Sequence, residues 1–177
     1  MHVVLTGLGS YGDVLPMVGL GVALRARGHR ATVRENPYFG DVVEEAGLHL
    51  APVGTTEENI ALTTQPTLHV PGETVLAAHG LDLASRTFQE RHGTPLATIH
   101  FAPLALRTLY ETPRFFGLLT SRATPRWLKR LQFYVADRAV IDPIVTPNLT
   151  RLRQTLGLPP VGRVYRHWHN SPQLVLG

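Results

Sequence analysis

Apolar and polar positions follow two different rhythms along the first half of the chain. Residues 2 to 6 form a short apolar run that stops at Gly7, the pattern of a buried strand. From Pro16 to Arg27 the apolar positions Met17, Leu20 and Leu24, with Val18 and Val22 beside them, recur at helical spacing. Gly28 then stands where a left-handed C-terminal cap belongs. "HRATVRE" reads as a second strand, "FGDVVEEAG" as a short helix closed by Gly47, and "LHLAPVG" as a third strand. Strand, helix, strand, helix, strand predicts a parallel sheet wrapped by helices.

After a polar stretch with two prolines the same order resumes. "TVLAAHG" predicts a strand, "LDLASRTFQERHG" a helix ended by Gly93, and "PLATIHFAP" another strand. Beyond Pro103 a Pro- and Arg-rich connection carries Phe115 and Phe116. Helices are expected around 124–139 and 142–156, the second ended by Gly157 and Pro159. The final "PQLVLG" reads as a strand that begins just as the chain stops, which suggests a domain of something longer. The expected fold is α/β, a Rossmann-like doubly wound parallel sheet.

Between the first strand and the first helix, "LTGLGSYGDVLP" holds Gly7, Gly9 and Gly12 at the spacing of a dinucleotide-binding turn. Glu35 closes the next strand, as the ribose-binding acid does in such domains. Two residues argue against that reading. Pro16 is most comfortable in the first turn of a helix, so it predicts a start at about Val14 or Leu15, past the glycines. Asp13 places a carboxylate where a diphosphate would dock, and like charges repel in a partly desolvated site. The same residues also fit a plain strand-to-helix turn with Asp13 as the N-cap. Asp13 then stands at the C-terminal edge of a parallel sheet, where open α/β sheets bind ligands and an exposed acid can act as a base.

Composition narrows the chemistry. The 177 residues, 44% of them hydrophobic, suffice for one domain core. No apolar run approaches the ~20 residues that span a bilayer, and the N-terminus lacks signal-peptide character, so a cytoplasmic protein is expected. The absence of cysteine excludes disulfides, a thiolate nucleophile and a cysteine metal site, leaving carboxylates, histidines, hydroxyls and backbone. Charge is divided unevenly. Residues 1–100 hold 6 Lys+Arg against 10 Asp+Glu, net −4, whereas residues 101–177 hold 11 against 3, net +8. Such a basic half fits a solvated face, an anionic lipid surface, a phosphorylated ligand or nucleic acid, but no nucleic-acid readout motif accompanies the arginines.

"GSYGDVLPMVGLGVALRARGH" followed by "FGDVVEEAGLHLAPVG" resembles the N-terminal domain of bacterial nucleotide-diphosphosugar glycosyltransferases of GT-B architecture, which glycosylate sterols, macrolides and glycopeptide antibiotics. The likeness continues through "VLAAHGLDLASRTFQERHGTPLATIHFAP" and "LRQTLGLPPVGRVYRHWHNSPQLVLG", where the rhamnosyltransferases of rhamnolipid synthesis look nearest. The resemblance implies that residues 1–177 are the acceptor-binding half of an inverting hexosyltransferase whose nucleotide-sugar domain is absent from this chain. Alone, this half should bind acceptor weakly and transfer nothing. It implies Asp13 as the general base and Gly9 and Ser10 beside the donor; Gly12 is expected with them, and Tyr11, His79, His100, Phe101, Phe115 and Phe116 are expected around the acceptor. No metal or other cofactor is implied, the nucleotide sugar being a co-substrate. Relatives carry a longer segment where "TQPTLHVPGE" here abuts "TVLAAHG" near Gly72 and Glu73. The reading from another class is a stand-alone Rossmann-type module, dinucleotide-binding or non-catalytic.

Other residues admit two readings each. His79 and His100 both end predicted parallel strands on the edge that carries Asp13, where they either pack against backbone or line the acceptor site and orient the acid. His167 and His169 would bind a metal only if they shared one side of a strand with further ligands. The stretch from Pro125 to Arg138 sets Trp127, Leu128, Leu131, Phe133, Tyr134 and Val135 among Arg126, Lys129, Arg130 and Arg138. It suits either a helix covering the sheet with snorkelling arginines or one resting on a bilayer.

Overall fold

The computed structural model describes residues 1–54, 69–101, 108–110, 118–119, 121 and 123–177, the side chain of His167 excepted. Phe115, Phe116, Arg107, Arg114 and Arg122, together with residues 55–68, lie outside the described set. The chain divides into two compact units, residues 1–101 with 170–176, and residues 102–169 with 177.

The first unit is a six-stranded, all-parallel sheet. Its strands are β1 (His2–Thr6), β2 (Arg30–Glu35), β3 (His49–Pro52), β4 (Thr74–His79), β5 (Leu96–Ile99) and β6 (Leu174–Leu176), in the spatial order β3-β2-β1-β4-β5-β6. Helix α1 (Tyr11–Ala26) follows β1, α2 (Gly40–Glu45) follows β2 after a 3-10 turn, and α3 (Leu83–His92) follows β4. Each apolar strand feeds both faces, because successive side chains point opposite ways. Val3, Leu5, Val33 and Ile99 pack with Val14, Met17 and Val18 of α1 and Val43 of α2. Val4, Leu76, Ala78 and Leu96 pack with Phe88 of α3. The sheet is thus doubly wound, and the strand order reverses between β1 and β4, whose register pairs Leu5 with Ala77.

Turn chemistry sets the lengths of these elements. Gly93 takes φ 69° past the last turn of α3, a conformation costly for a side-chain-bearing residue, and its N–H returns to the Gln89 carbonyl. Gly28, Gly47 and Gly157 adopt the same left-handed region, as the sequence predicts. At the other end of α3, Asp82 caps the helix by accepting from the Ser85 amide.

One expectation fails at the start of α1. The helix begins at Tyr11 with Ser10 as N-cap, inside the glycine motif rather than at Val14 or Leu15. Pro16 sits in the second turn, where it gives up a bond to the carbonyl four residues back, and burial of Val14, Met17 and Val18 carries the helix through it. Asp13 is accordingly not the N-cap but the third helical residue.

The edge strand β6 is placed by polar groups rather than by apolar burial. The Arg86 Nε–H donates to the Asn170 carbonyl at 3.2 Å, and the Gln89 amide donates to Gln173 Oε1 at 2.9 Å. The Ser171 N–H donates to Thr98 Oγ1 at 2.8 Å. Leucines 174 and 176 of β6 remain exposed.

In the second unit, α4 (Arg126–Ala136) does not end before α5 (Asp142–Thr155). A π-helical turn, Asp137–Ile141, joins them, and the Asp142 N–H reaches back five residues to the Asp137 carbonyl. Pro143, with no N–H to give, follows directly, so the wider turn resets the hydrogen-bond ladder there. Residues Val164–Trp168 form a second π-helical turn, so His167 and His169 do not lie along a strand. Among the described residues no group of three metal-binding side chains comes together, and no helix is long and apolar enough to cross a membrane.

Candidate functional site

The C-terminal ends of β1 and β4 flank the point where strand order reverses, and both deliver polar side chains there. After β1 the chain turns through Gly7 to Ser10 into α1, which brings Asp13 back over the sheet edge on its first turn. At the end of β4, His79 faces it, with Nε2 3.8 Å from Asp13 Oδ1. The Ser10 hydroxyl donates to Asp13 Oδ2 at 2.7 Å. The carboxylate is therefore held by one short hydrogen bond and faced by an imidazole, with about a quarter of its side chain still open to solvent.

The state of His79 follows from its partners. The Leu81 N–H donates to His79 Nδ1 at 3.2 Å, so in the neutral ring the proton sits on Nε2, the atom that faces Asp13. Burial lowers the imidazole below its ordinary 6.5, a shift opposed by the Asp13 carboxylate and reinforced by His100. A neutral donor rather than a cation thus stands beside the acid. Phe101 stacks on the His79 ring at 5.7 Å and 24°.

Beneath this pair the site is tightly packed. His100 is buried, its ring bonded through Nε2 to Asn170 Oδ1 at 2.8 Å and 6.4 Å from the ring of His79. A methyl group on Gly80 would run into the His100 ring, so glycine is the residue that lets β4 pass this histidine.

Glu35 has a role the glycine spacing does not reveal. Its Oε1 accepts from the Gly9 N–H at 3.2 Å and the Asn36 N–H at 3.1 Å. Its Oε2 lies 2.6 Å from where a Cβ on Gly7 would be, so the loop closes directly over the carboxylate. Burial raises the Glu35 carboxyl above its ordinary 4.5, against the two amide bonds that pull it down. The acid that a dinucleotide fingerprint would direct at a ribose instead ties down the glycine loop, and the Gly9 amide is engaged with it.

Of the other expected site residues, Tyr11 is half exposed and packs edge-on against Phe39 at 5.1 Å and Tyr38 at 6.2 Å. Gly12 is exposed on the first turn of α1. Asp13, Ser10, His79, His100 and Phe101 come together, whereas Tyr11 belongs to a neighbouring aromatic cluster. Sequence reasoning missed the Leu81 amide that sets the His79 tautomer; the only signal for it is the turn that Gly80 marks directly after the strand.

A doubly wound sheet in this strand order is a Rossmann-like α/β fold, and the solved structures that share it over 99% of this chain are glycosyltransferases of GT-B type. The relatives belong to that class. The chain is 27% identical to glycosyltransferase GtfE of Amycolatopsis orientalis over 97% of its own length and 47% of that protein's. A 48-residue stretch, 27% of this chain and 11% of the relative, is 46% identical to the O-mycaminosyltylonolide 6-deoxyallosyltransferase of Streptomyces fradiae. Among solved structures, the glycotransferase of kitacinnamycin superposes with a TM-score of 0.66 at 17% identity, covering 99% of this chain and 45% of that one. This chain spans about half the length of GtfE. No family model matches it.

Proposed function

We propose that the chain is the acceptor-binding half of an inverting glycosyltransferase that moves a hexose from a nucleotide-diphosphate sugar to a hydroxyl of a natural product or lipid, working in the cytoplasm with a separate nucleotide-sugar domain. The observation that carries the reading is the Asp13 carboxylate at the switch point, held by the Ser10 hydroxyl and faced by a neutral His79. Asp13 takes the acceptor hydroxyl proton as the oxygen attacks the anomeric carbon. The bond from that carbon to the diphosphate oxygen breaks, and the diphosphate leaves with the electron pair. A carboxylate there also faces the positive charge that develops on the sugar. The burial that lowers the His79 pKa keeps its ring neutral, so a donor rather than a second charge faces the carboxylate. The first turn of α1, with Ser10 and Gly12, directs its amide dipole toward the leaving diphosphate, a role that needs no metal.

A dinucleotide-binding module is the competing reading, since the helix begins within the glycine motif as such modules require. Glu35 argues against it, being buried and bonded to the loop itself. Saturation-transfer NMR of the chain with hydroxyacyl lipids, sterols, macrolides, NAD and NADP separates the two. The expected result is binding of one acceptor class that survives Asp13→Ala, with no dinucleotide signal. Tight NAD or NADP binding overturns the glycosyltransferase reading.

A further inference from the structure

The second unit inverts the usual sorting of side chains on α4. Lys129 is 3% exposed while Trp127, on the same helix, is 66% exposed. Trp127, Leu131, Tyr134 and Val135 fall at i, i+4, i+7 and i+8 and share one open face; Val140 within the π turn and Ile144 beyond it are exposed apolar residues too. Contiguous apolar exposure of this kind marks a surface that meets something.

Charge says what it meets. Arg126, Arg130, Arg138, Arg151 and Arg166 are exposed. Among the described residues of this unit the acids are Asp137 and Asp142, and both are buried. Among its described residues the unit therefore exposes cations and aromatic or aliphatic groups but no carboxylate. A second copy of the chain would bring like charges face to face, which costs binding. An anionic bilayer satisfies both features: Trp and Tyr rings settle at the headgroup level, aliphatic side chains enter the acyl boundary, and guanidinium groups meet lipid phosphates.

We propose that the exposed face of α4 is a docking surface for an anionic lipid bilayer, on which the helix lies in the interfacial plane. The proposal goes beyond the glycosyltransferase reading and does not rest on Asp13. Sedimentation of the chain with vesicles of phosphatidylcholine, with and without phosphatidylglycerol, tests it. Partition into the phosphatidylglycerol vesicles should be roughly tenfold or more stronger and should weaken as salt rises. Binding should shift tryptophan emission to the blue, and Trp127→Phe, which keeps Trp168, should abolish that shift. Leu131→Asp, and separately the pair Arg126→Ser with Arg130→Ser, should each lower partition roughly tenfold with the circular dichroism unchanged. Should Leu131→Asp fail to fold, the exposed arginine pair carries the test. No partition, or equal partition into both vesicle types, overturns the proposal. So does a concentration-dependent dimer, seen by analytical ultracentrifugation without vesicle binding, which would assign the face to a second copy.

Discussion

Two carboxylates beside the glycine loop, one on the first turn of α1 and one at the end of β2, have opposite fates, and their surroundings explain why. Asp13 sits at the open rim and keeps part of its solvation, whereas Glu35 is covered by the loop it holds. Because the folded state raises the Glu35 pKa, its contribution to stability is full below about 4.5 and is lost as pH rises through the raised value. Glu35→Gln keeps an acceptor for the Gly9 amide and cannot ionise. Its melting temperature should therefore gain on the wild type between about pH 4 and pH 7, which thermal unfolding across that range checks. His79 has the opposite sign. Its folded pKa is lowered, so its contribution is full above about 6.5 and is lost as pH falls toward the folded value. The His79 Cε1–H resonance should titrate with a midpoint below 6.5, and lower still in Asp13→Asn, which removes the charge that raises it. An unmoved midpoint in that variant would separate the two side chains electrostatically. Gly80→Ala should cost about 1–3 kcal/mol by denaturant unfolding, since the new methyl displaces the His100 ring.

The first helix shows how packing overrides a local preference. Pro16 argues for a later start, yet Val14, Met17 and Val18 are buried against β1 and β2, and their burial outweighs one missing hydrogen bond. Pro16→Ala restores that bond on an exposed face and should stabilise the chain by about 1–3 kcal/mol, read from the shift in its denaturation midpoint. A loss of stability instead would show that the proline conformation is what the loop requires. The early start matters to the site, because it brings Asp13 onto the first helical turn within reach of Ser10 and His79. The π turn between α4 and α5 is a comparable case. Two helices legible as separate patterns run together because the hydrogen-bond ladder widens ahead of Pro143 instead of breaking.

At the scale of the molecule, the doubly wound topology makes a single site from distant segments. Residues 13 and 79 meet only because β1 and β4 are neighbours at the reversal of strand order. Asp13→Asn in the chain joined to a nucleotide-sugar domain should lower kcat by about 10²- to 10⁴-fold with the acceptor KM little changed, the pattern of a lost base. The same substitution should change fold stability by less than about 1 kcal/mol, as expected for one charge near a helix N-terminus. A large stability loss with transfer intact would make Asp13 a structural residue and the base some other group.

By itself the sequence determined the alternating order of strands and helices, the helix ends at Gly28, Gly47, Gly93 and Gly157, and the likeness to glycosyltransferases, because periodicity, left-handed caps and motif residues are local properties of the chain. It also pointed to Asp13, His79 and His100 on one sheet edge, since parallel strands end on the same side. Only the tertiary structure decided that Glu35 binds the glycine loop rather than a ligand, that a backbone amide sets the tautomer of His79, and that Arg86, Gln89 and His100 are buried to hold the segment leading to β6. It decided too that α4 turns its aromatic face outward. Those outcomes depend on which groups meet across many residues of sequence and on how much water remains between them, and neither is written in any local pattern.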